Sequence, residues 1–148
     1  MRLAELLLEF DGLSPEERLE LLIELGEELP PLAPSRGCAP FPSDCRVQEC
    51  QTAVHLWVEV KDDRVHLEAD VPRNSPTVRG LVTLLVQGLE GAAATEVLAA
   101  PDDLIEQIGL SQTLGMTRRQ GVQGMIRRIK QAVQSGLTAA RSEVRNAV

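Results

Sequence analysis

The sequence predicts an α+β fold in which a small three-stranded antiparallel sheet packs against helices. Two segments in which apolar and polar residues alternate lie in the middle of the chain, at 54–60 and 65–71. Segments with helical spacing of apolar residues precede and follow them. Because no internal repeat or low-complexity linker interrupts the 148 residues, we expect one domain over 1–148, with its core at about 13–135.

Two helices are predicted before the sheet. The first has apolar residues at helical spacing and ends near Gly12. Ser14 and Glu17 then match a capping box, in which each side chain accepts a hydrogen bond from the other residue's backbone amide. The second helix therefore starts after Ser14, runs to about Glu28, and is stopped by Pro30.

The predicted sheet consists of a hairpin and one short third strand. Asp62 and Asp63 supply the turn between the two alternating segments, which makes them antiparallel neighbours. Residues 46–49 are expected to supply a short third strand. A Pro-rich loop over 30–45 leads into it, and a loop of that length inside a compact domain is often functional. One face of this sheet is apolar and requires helices over it.

Four helices are predicted after the sheet. The first is capped by Ser75, and two short ones follow at 95–100 and 103–108. The last is expected to begin with a capping box of Thr117 and Gln120, and it carries a continuous apolar stripe. The sequence allows this helix to end at Gly136 or to continue to Arg145.

Charge and composition argue against nucleic acid and membranes as partners. The net charge of −7 repels phosphate backbones, and one Trp, two Phe and no Tyr are too few for a base-stacking platform. No apolar stretch reaches the roughly 18 residues that a membrane span needs. The first residues carry acidic side chains within their apolar pattern, unlike a secretory signal. We therefore expect a cytoplasmic protein.

Cys50 is the strongest candidate for a reactive group. It lies where an extended segment breaks and a strand begins, between the polar residues Glu49 and Gln51. A cysteine acts as a nucleophile only as the thiolate, which a positive environment favours. The predicted last helix offers two such sources, its N-terminus and the arginines Arg118 and Arg119. Alternatively, Cys50 is a small buried hydrophobe and both arginines point into solvent.

A second interpretation of the cysteines is a metal or cluster site. Thiolate and imidazole groups are ligands that zinc and iron–sulfur clusters prefer, and Cys38, Cys45, Cys50 and His55 lie within eighteen residues of sequence. No C-x-x-C pair is present, so the spacing is a weak indication, and the favoured prediction assigns no metal and no cofactor. A scaffold or zinc-binding protein remains the alternative, as does an interaction module with three inert cysteines.

Four stretches of the chain resemble the SufE family. The most telling is Val-Gln-Glu-Cys-Gln-Thr-Ala-Val around Cys50, which is similar to the family's Val-x-Gly-Cys-Gln-Ser-x-Val. Together the stretches extend the resemblance from about Leu13 to Ala132, in the family's order and with similar separations. The four stretches are Leu22–Pro30, Val47–Val54, Val78–Val82, and Leu110–Leu114 with Arg118–Val122 and Met125–Ile126.

The resemblance implies a fold shared with the IscU scaffolds and a function in sulfur transfer. SufE-like proteins accept sulfane sulfur from the persulfide of a cysteine desulfurase, which they stimulate, and pass it to an iron–sulfur assembly scaffold. Cys50 matches the acceptor cysteine, and Arg118 matches the family arginine at the start of the last helix. The implied partners are a SufS-like desulfurase, which holds the pyridoxal phosphate, and a SufB-like scaffold.

Three departures from the family pattern bear on the site. Trp57 lies seven residues after Cys50, whereas the family has its aromatic residue nearer, where His55 stands. Glu49 stands where the family has Gly before the cysteine, and it places a negative charge beside the thiol. Cys38 and Cys45 have no counterpart in the motif. They keep the scaffold alternative open, or supply a second thiol near the acceptor.

Overall fold

The structure is a computed structural model that describes residues 1–147, with side chains described through Arg141. Six helices and two strands follow one another along this part of the chain, with short 3-10 turns at Pro34–Arg36 and Ser43–Cys45. The elements are α1 (Leu3–Leu8), α2 (Pro15–Gly26), β1 (His55–Lys61), β2 (Arg64–Asp70), α3 (Pro76–Leu89), α4 (Ala94–Leu98), α5 (Leu104–Gln107) and α6 (Met116–Ala147).

The predicted α+β class is confirmed, and the hairpin lies where the alternation places it. β1 pairs antiparallel with β2, and Val58 lies opposite Leu67. Asp62 and Asp63 form the turn with φ angles of 51° and 60°. Both residues are in the left-handed region that tight hairpin turns require, and aspartate tolerates it better than most residues do.

The sheet has two strands, so the prediction of a third strand over 46–49 was wrong. Arg46 makes an isolated bridge to His55, and the Val47 amide donates to the Val54 carbonyl over 2.9 Å. The chain then turns at Gln48 and Glu49, which are exposed. Because the turn carries the backbone away from β1, pairing stops after Val47 and no ladder forms.

Helices cover the apolar face of the hairpin, as expected. α6 packs on β1, α3 packs on β2, and α1 and α2 pack on α3. The buried cluster between them extends from Leu3 to Leu137 and includes Phe10, which is 1 % exposed. The sheet and these helices therefore share one core. None of the described helices has a stretch apolar enough to traverse a bilayer.

The Pro-rich loop covers the polar face of the hairpin. Arg36 donates to Glu59 and to Glu68, each over 2.7 Å, and its guanidinium lies 5.7 Å from the ring centre of Trp57. Phe41 packs edge-on against the same Trp57 at 5.3 Å. The carboxylates of Glu59 and Glu68 have lowered pKa values, chiefly because Arg36 bonds the first and the Ala33 amide bonds the second. The loop is thus fastened to the strands.

Two glycines set the crossing of α2 and α3. A Cβ atom built on Gly26 would lie 2.8 Å from the backbone nitrogen of Gly80, and one built on Gly80 would overlap the Leu22 carbonyl. The helix backbones are therefore in direct contact at this point. A side chain on either residue would have to separate them.

Helix termini test the predicted caps individually. The capping box at Ser14 is confirmed, with both hydrogen bonds to Glu17 formed at 3.1 and 3.2 Å. The box predicted at Thr117 was wrong, because α6 already begins at Met116 and places Thr117 inside the first turn. α6 continues to Ala147, past Gly136.

Candidate functional site

Cys50 lies in a short loop whose two ends are joined to each other. We call residues 48–53 the loop tip and residues 44–47 with 54–55 the loop stem. Val47 and Val54 close the stem with their backbone hydrogen bond, and both are fully buried. The Cys50 amide donates to the Val47 carbonyl over 3.3 Å, which completes the turn that aims the cysteine at α6.

Arg128 fastens the stem to α6. Its guanidinium donates to the carbonyl of Arg46 over 3.1 Å and also to the carbonyl of Asp44. Arginine suits this position because several of its N–H groups are available in a fixed geometry. The stem is thereby held both by β1 and by the last helix. Nothing in the sequence alone distinguishes Arg128 from its neighbour Arg127.

The thiol of Cys50 lies at a cavity of about 220 Å³ between the loop tip, α3 and α6. The side chain is mostly covered, with 9 % of the residue exposed. One wall is apolar and the other polar and open to solvent. Apart from the tip residues, the lining includes Val78, Leu81, Val122, Met125, Thr117 and Arg118. Cys50 is therefore buried and also borders a cavity with a charged wall, and its role as a reactive group stays a prediction.

Two glycines of α6 face the loop tip, and Gly124 allows its close approach to the helix. A Cβ atom on Gly121 would lie 3.6 Å from the Cys50 sulfur, and one on Gly124 would lie 2.6 Å from the Glu49 Cβ. Sequence reasoning missed both positions. A signal was present, since glycine inside a helix costs about 1 kcal/mol relative to alanine and two occur three residues apart.

The two arginines at the start of α6 have different surroundings. Arg118 is exposed and lines the Cys50 cavity. Arg119 is bonded to Glu106 over 2.8 Å. The first turn of α6 also presents backbone amides with no partner within the helix, and these favour an anion. The polar wall of the cavity, which Thr117 and Arg118 line, is therefore positively polarised.

The other predicted ligands do not gather around Cys50. Cys38 is exposed in the Pro-rich loop, Cys45 is half-buried in the stem, and all three cysteines are free. His55 packs against Phe41 at 5.2 Å, and its Nδ1 atom is buried without a hydrogen-bond partner. Within the part of the chain whose side chains are described, no three His, Cys, Asp or Glu groups come close enough to hold a metal ion.

Cys45 lies in an environment that disfavours its thiolate. Burial, and next the charge of Asp44, raise the pKa of this thiol, while Arg128 and Arg36 oppose the shift. We therefore expect the pH midpoint of alkylation at Cys45 to lie above the midpoint of a cysteine in the unfolded protein. Because Asp44→Asn removes one cause of the raised pKa, it should move the pH midpoint of alkylation at Cys45 downward, as measured by peptide mass spectrometry.

Two controls accompany this measurement. The same protein in urea gives the midpoint of the unfolded thiol. Asp103→Asn removes an exposed acidic group that does not act on the Cys45 pKa, and it should leave the midpoint in place. An unchanged midpoint in Asp44→Asn would show that Asp44 does not contribute to the raised pKa of Cys45.

The fold and the cavity define a class of small α+β domain with a thiol at a loop tip, over the N-terminal part of a long helix. The family model for the SufE Fe-S metabolism associated domain matches residues 4–133. The chain belongs to the SufE family.

Relatives and a solved structure agree with this assignment. A SufE-like protein of Mycobacterium tuberculosis is 35 % identical, with 86 % of this chain and 88 % of that protein covered. The sulfur acceptor protein CsdE of Escherichia coli is 29 % identical over 74 % of this chain and 72 % of its own. The solution structure of a hypothetical protein from Thermus thermophilus superposes with a TM-score of 0.77 and 31 % identity, covering 93 % of this chain and 96 % of that one.

Proposed function

We propose that this protein accepts sulfane sulfur from the persulfide of a cysteine desulfurase onto Cys50 and passes it to an iron–sulfur assembly scaffold. The observation that carries the proposal is a free thiol at a cavity that Arg118 also lines, in a chain of the SufE family. The relative CsdE is named a sulfur acceptor protein, which supports the same reaction. The proposed compartment is the cytoplasm, where thiols are kept reduced.

The proposed transfer step is an exchange at sulfur. The thiolate of Cys50 attacks the terminal sulfur of the donor persulfide and forms a new S–S bond. The old S–S bond of the donor breaks, and the donor cysteine leaves as a thiolate. Cys50 now carries the sulfane sulfur, which keeps the persulfide proton or releases it to solvent. No external oxidant or reductant is consumed, because one S–S bond replaces another.

The cavity provides a place to hold the transferred sulfur. Its volume of about 220 Å³ is several times the roughly 30 Å³ that one water molecule occupies in the liquid. The cavity therefore has room for a terminal sulfur beside the Cys50 thiol. Val78, Leu81 and Met125 shield it on the apolar side, and Arg118 together with the first turn of α6 offsets its negative charge.

The proposal is tested by intact mass spectrometry. The protein is incubated with cysteine and a pyridoxal-phosphate-dependent cysteine desulfurase, and the expected product is heavier by one sulfur atom. Peptide mapping should place that atom on Cys50, and a thiol reductant should remove it. Sulfur found on Cys38 or Cys45, or no added sulfur at all, would contradict the proposal.

Arg118 is proposed to favour the anionic sulfur during transfer. We expect Arg118→Met to slow single-turnover sulfur transfer to Cys50 about tenfold, which corresponds to roughly 1.4 kcal/mol from one partly solvated charge. Arg118→Lys keeps the charge and should recover most of the rate. Rapid-quench mass spectrometry of the loaded protein measures both.

Arg119 offers a matched control for this measurement. It neighbours Arg118 in sequence, but its guanidinium is bonded to Glu106. Arg119→Met removes the same charge from the same helical turn and is expected to change the transfer rate less than about twofold. Equal slowing by both variants would mean that the general charge of α6 matters and that Arg118 has no special position.

A further inference from the structure

Among the residues whose side chains are described, the loop tip rests on α6 without hydrogen bonds to the helix. The backbone hydrogen bonds of residues 48–53 stay within the loop, from Cys50 to Val47 and from Val54 to Thr52. No side chain forms a hydrogen bond between the tip and α6 in the part of the chain whose side chains are described. The stem differs, since Arg128 ties it to the helix. The closed position of the tip therefore depends on packing contacts.

The side chain of Glu49 lies directly against α6 at Gly124. Its Cβ, Cγ and Cδ atoms would lie 2.6, 2.7 and 3.0 Å from a Cβ atom built on Gly124. In the actual protein the aliphatic part of Glu49 occupies the space that a side chain at position 124 would fill. Cys50 has a looser fit, because a Cβ atom on Gly121 would still leave 3.6 Å to its sulfur.

We propose that Glu49 is a positioning residue whose seat on Gly124 holds the loop tip closed and sets how often Cys50 becomes accessible. With 9 % exposure, the thiol cannot meet a second protein unless the tip moves. The stem stays attached to α6, so residues 48–53 form the moving unit. We call this opening and closing of the loop tip the gate. Its biological role rests on the proposed sulfur transfer, but the opening and closing can be measured in the isolated protein.

Alkylation of Cys50 by iodoacetamide in the free protein tests the gate. Cys38 and Cys45 are first replaced by serine, so that alkylation of the protein measures the reaction of Cys50. Gly124→Ala places a methyl group against the Glu49 Cβ, which is fixed to the backbone, so the tip itself must shift. Because overpacking of this kind moves a two-state equilibrium by about an order of magnitude, we expect alkylation to become about tenfold faster.

A double variant shows whether the effect passes through Glu49. Glu49→Gly removes the seated side chain and is itself expected to speed alkylation. Adding Gly124→Ala to Glu49→Gly should then bring little further change, because the two substitutions act on one contact. If Gly124→Ala gives the same increase in both backgrounds, or if neither single variant speeds alkylation, the gate is refuted.

Two matched variants control for nonspecific effects. Gln48→Gly adds the same backbone freedom at the neighbouring exposed position of the tip. Gly136→Ala crowds α6 to a similar degree, because its Cβ would lie 2.8 Å from Val60 on β1 rather than against the tip. Both are expected to leave the alkylation rate of Cys50 within about twofold of the parent. An increase in either one equal to that of Gly124→Ala would overturn the assignment to Glu49.

Sulfur transfer provides a second readout that separates the gate from the proposed function. If the partner binds the open tip, a variant that opens the tip in advance should lower the KM for this protein and leave kcat unchanged, because a larger fraction is competent to bind. Faster alkylation without any sulfur transfer would keep the gate and reject the function. Normal sulfur transfer together with an unchanged alkylation rate would keep the proposed function and reject the gate.

Discussion

Replacing Cys50 by serine is expected to abolish sulfur loading and the stimulation of a partner desulfurase. The hydroxyl of serine is a far weaker nucleophile than a thiolate at neutral pH, and no general base is placed to activate it among the described residues. The single-turnover transfer rate should fall by more than about a thousandfold. Radiolabelled sulfur from cysteine, followed onto the protein after removal of small molecules, measures this loss.

The other cysteines supply the controls for this variant. Cys38→Ser and Cys45→Ser change the same atom at sites away from the cavity and should retain loading within about twofold. Circular dichroism checks that Cys50→Ser folds, since a hydroxyl in a partly apolar site costs about 1–3 kcal/mol. If the Cys50→Ser protein carries as much labelled sulfur as the parent protein does, the transfer proposal is wrong.

Gly80→Ala is expected to destabilise the protein by about 3 kcal/mol and to lower its melting temperature by about 10 °C. The new methyl group would overlap the carbonyl of Leu22, which is backbone and cannot rotate away. α2 and α3 would have to separate, and the apolar contacts between them would loosen. Thermal and denaturant unfolding followed by circular dichroism measure both quantities.

Gly115→Ala is the matched control for this prediction. A Cβ atom there has nothing within 4 Å, and the residue lies just before α6 rather than at a helix crossing. Its expected cost is below about 1 kcal/mol, the usual difference between glycine and alanine at a helix start. A Gly80→Ala protein as stable as Gly115→Ala would show that the two helix backbones can move apart freely.

Local signals in the sequence were sufficient for most of the fold. The capping box at Ser14, the turn at Asp62 and Asp63 and the alternation on either side of it each depend on neighbours within a few residues. The prediction of a third strand failed because Arg46 forms only one bridge, at the place where a ladder would start. The turn that follows lies in a polar stretch whose sequence does not indicate a turn. The cap at Thr117 was misplaced by two residues.

The candidate site was less accessible to sequence reasoning because it joins distant segments. The sequence singles out Cys50 and Arg118, and both line one cavity; their catalytic roles stay predictions. The contacts of Arg128 with the stem and of Gly124 with Glu49 connect residues more than seventy positions apart. No periodicity or local motif encodes such a pairing, which follows from how α6 crosses the loop.

The closed stem has a consequence for the range of the thiol. Six residues span the gap between Val47 and Val54, and a chain doubled back on itself extends by at most half its contour. At about 3.4 Å per residue, the farthest point of such a loop is about 10 Å from its base. Under the proposed transfer, a donor persulfide recessed much more deeply than this in its own protein would be out of reach of Cys50. The donor must then supply the remaining travel with a mobile arm of its own.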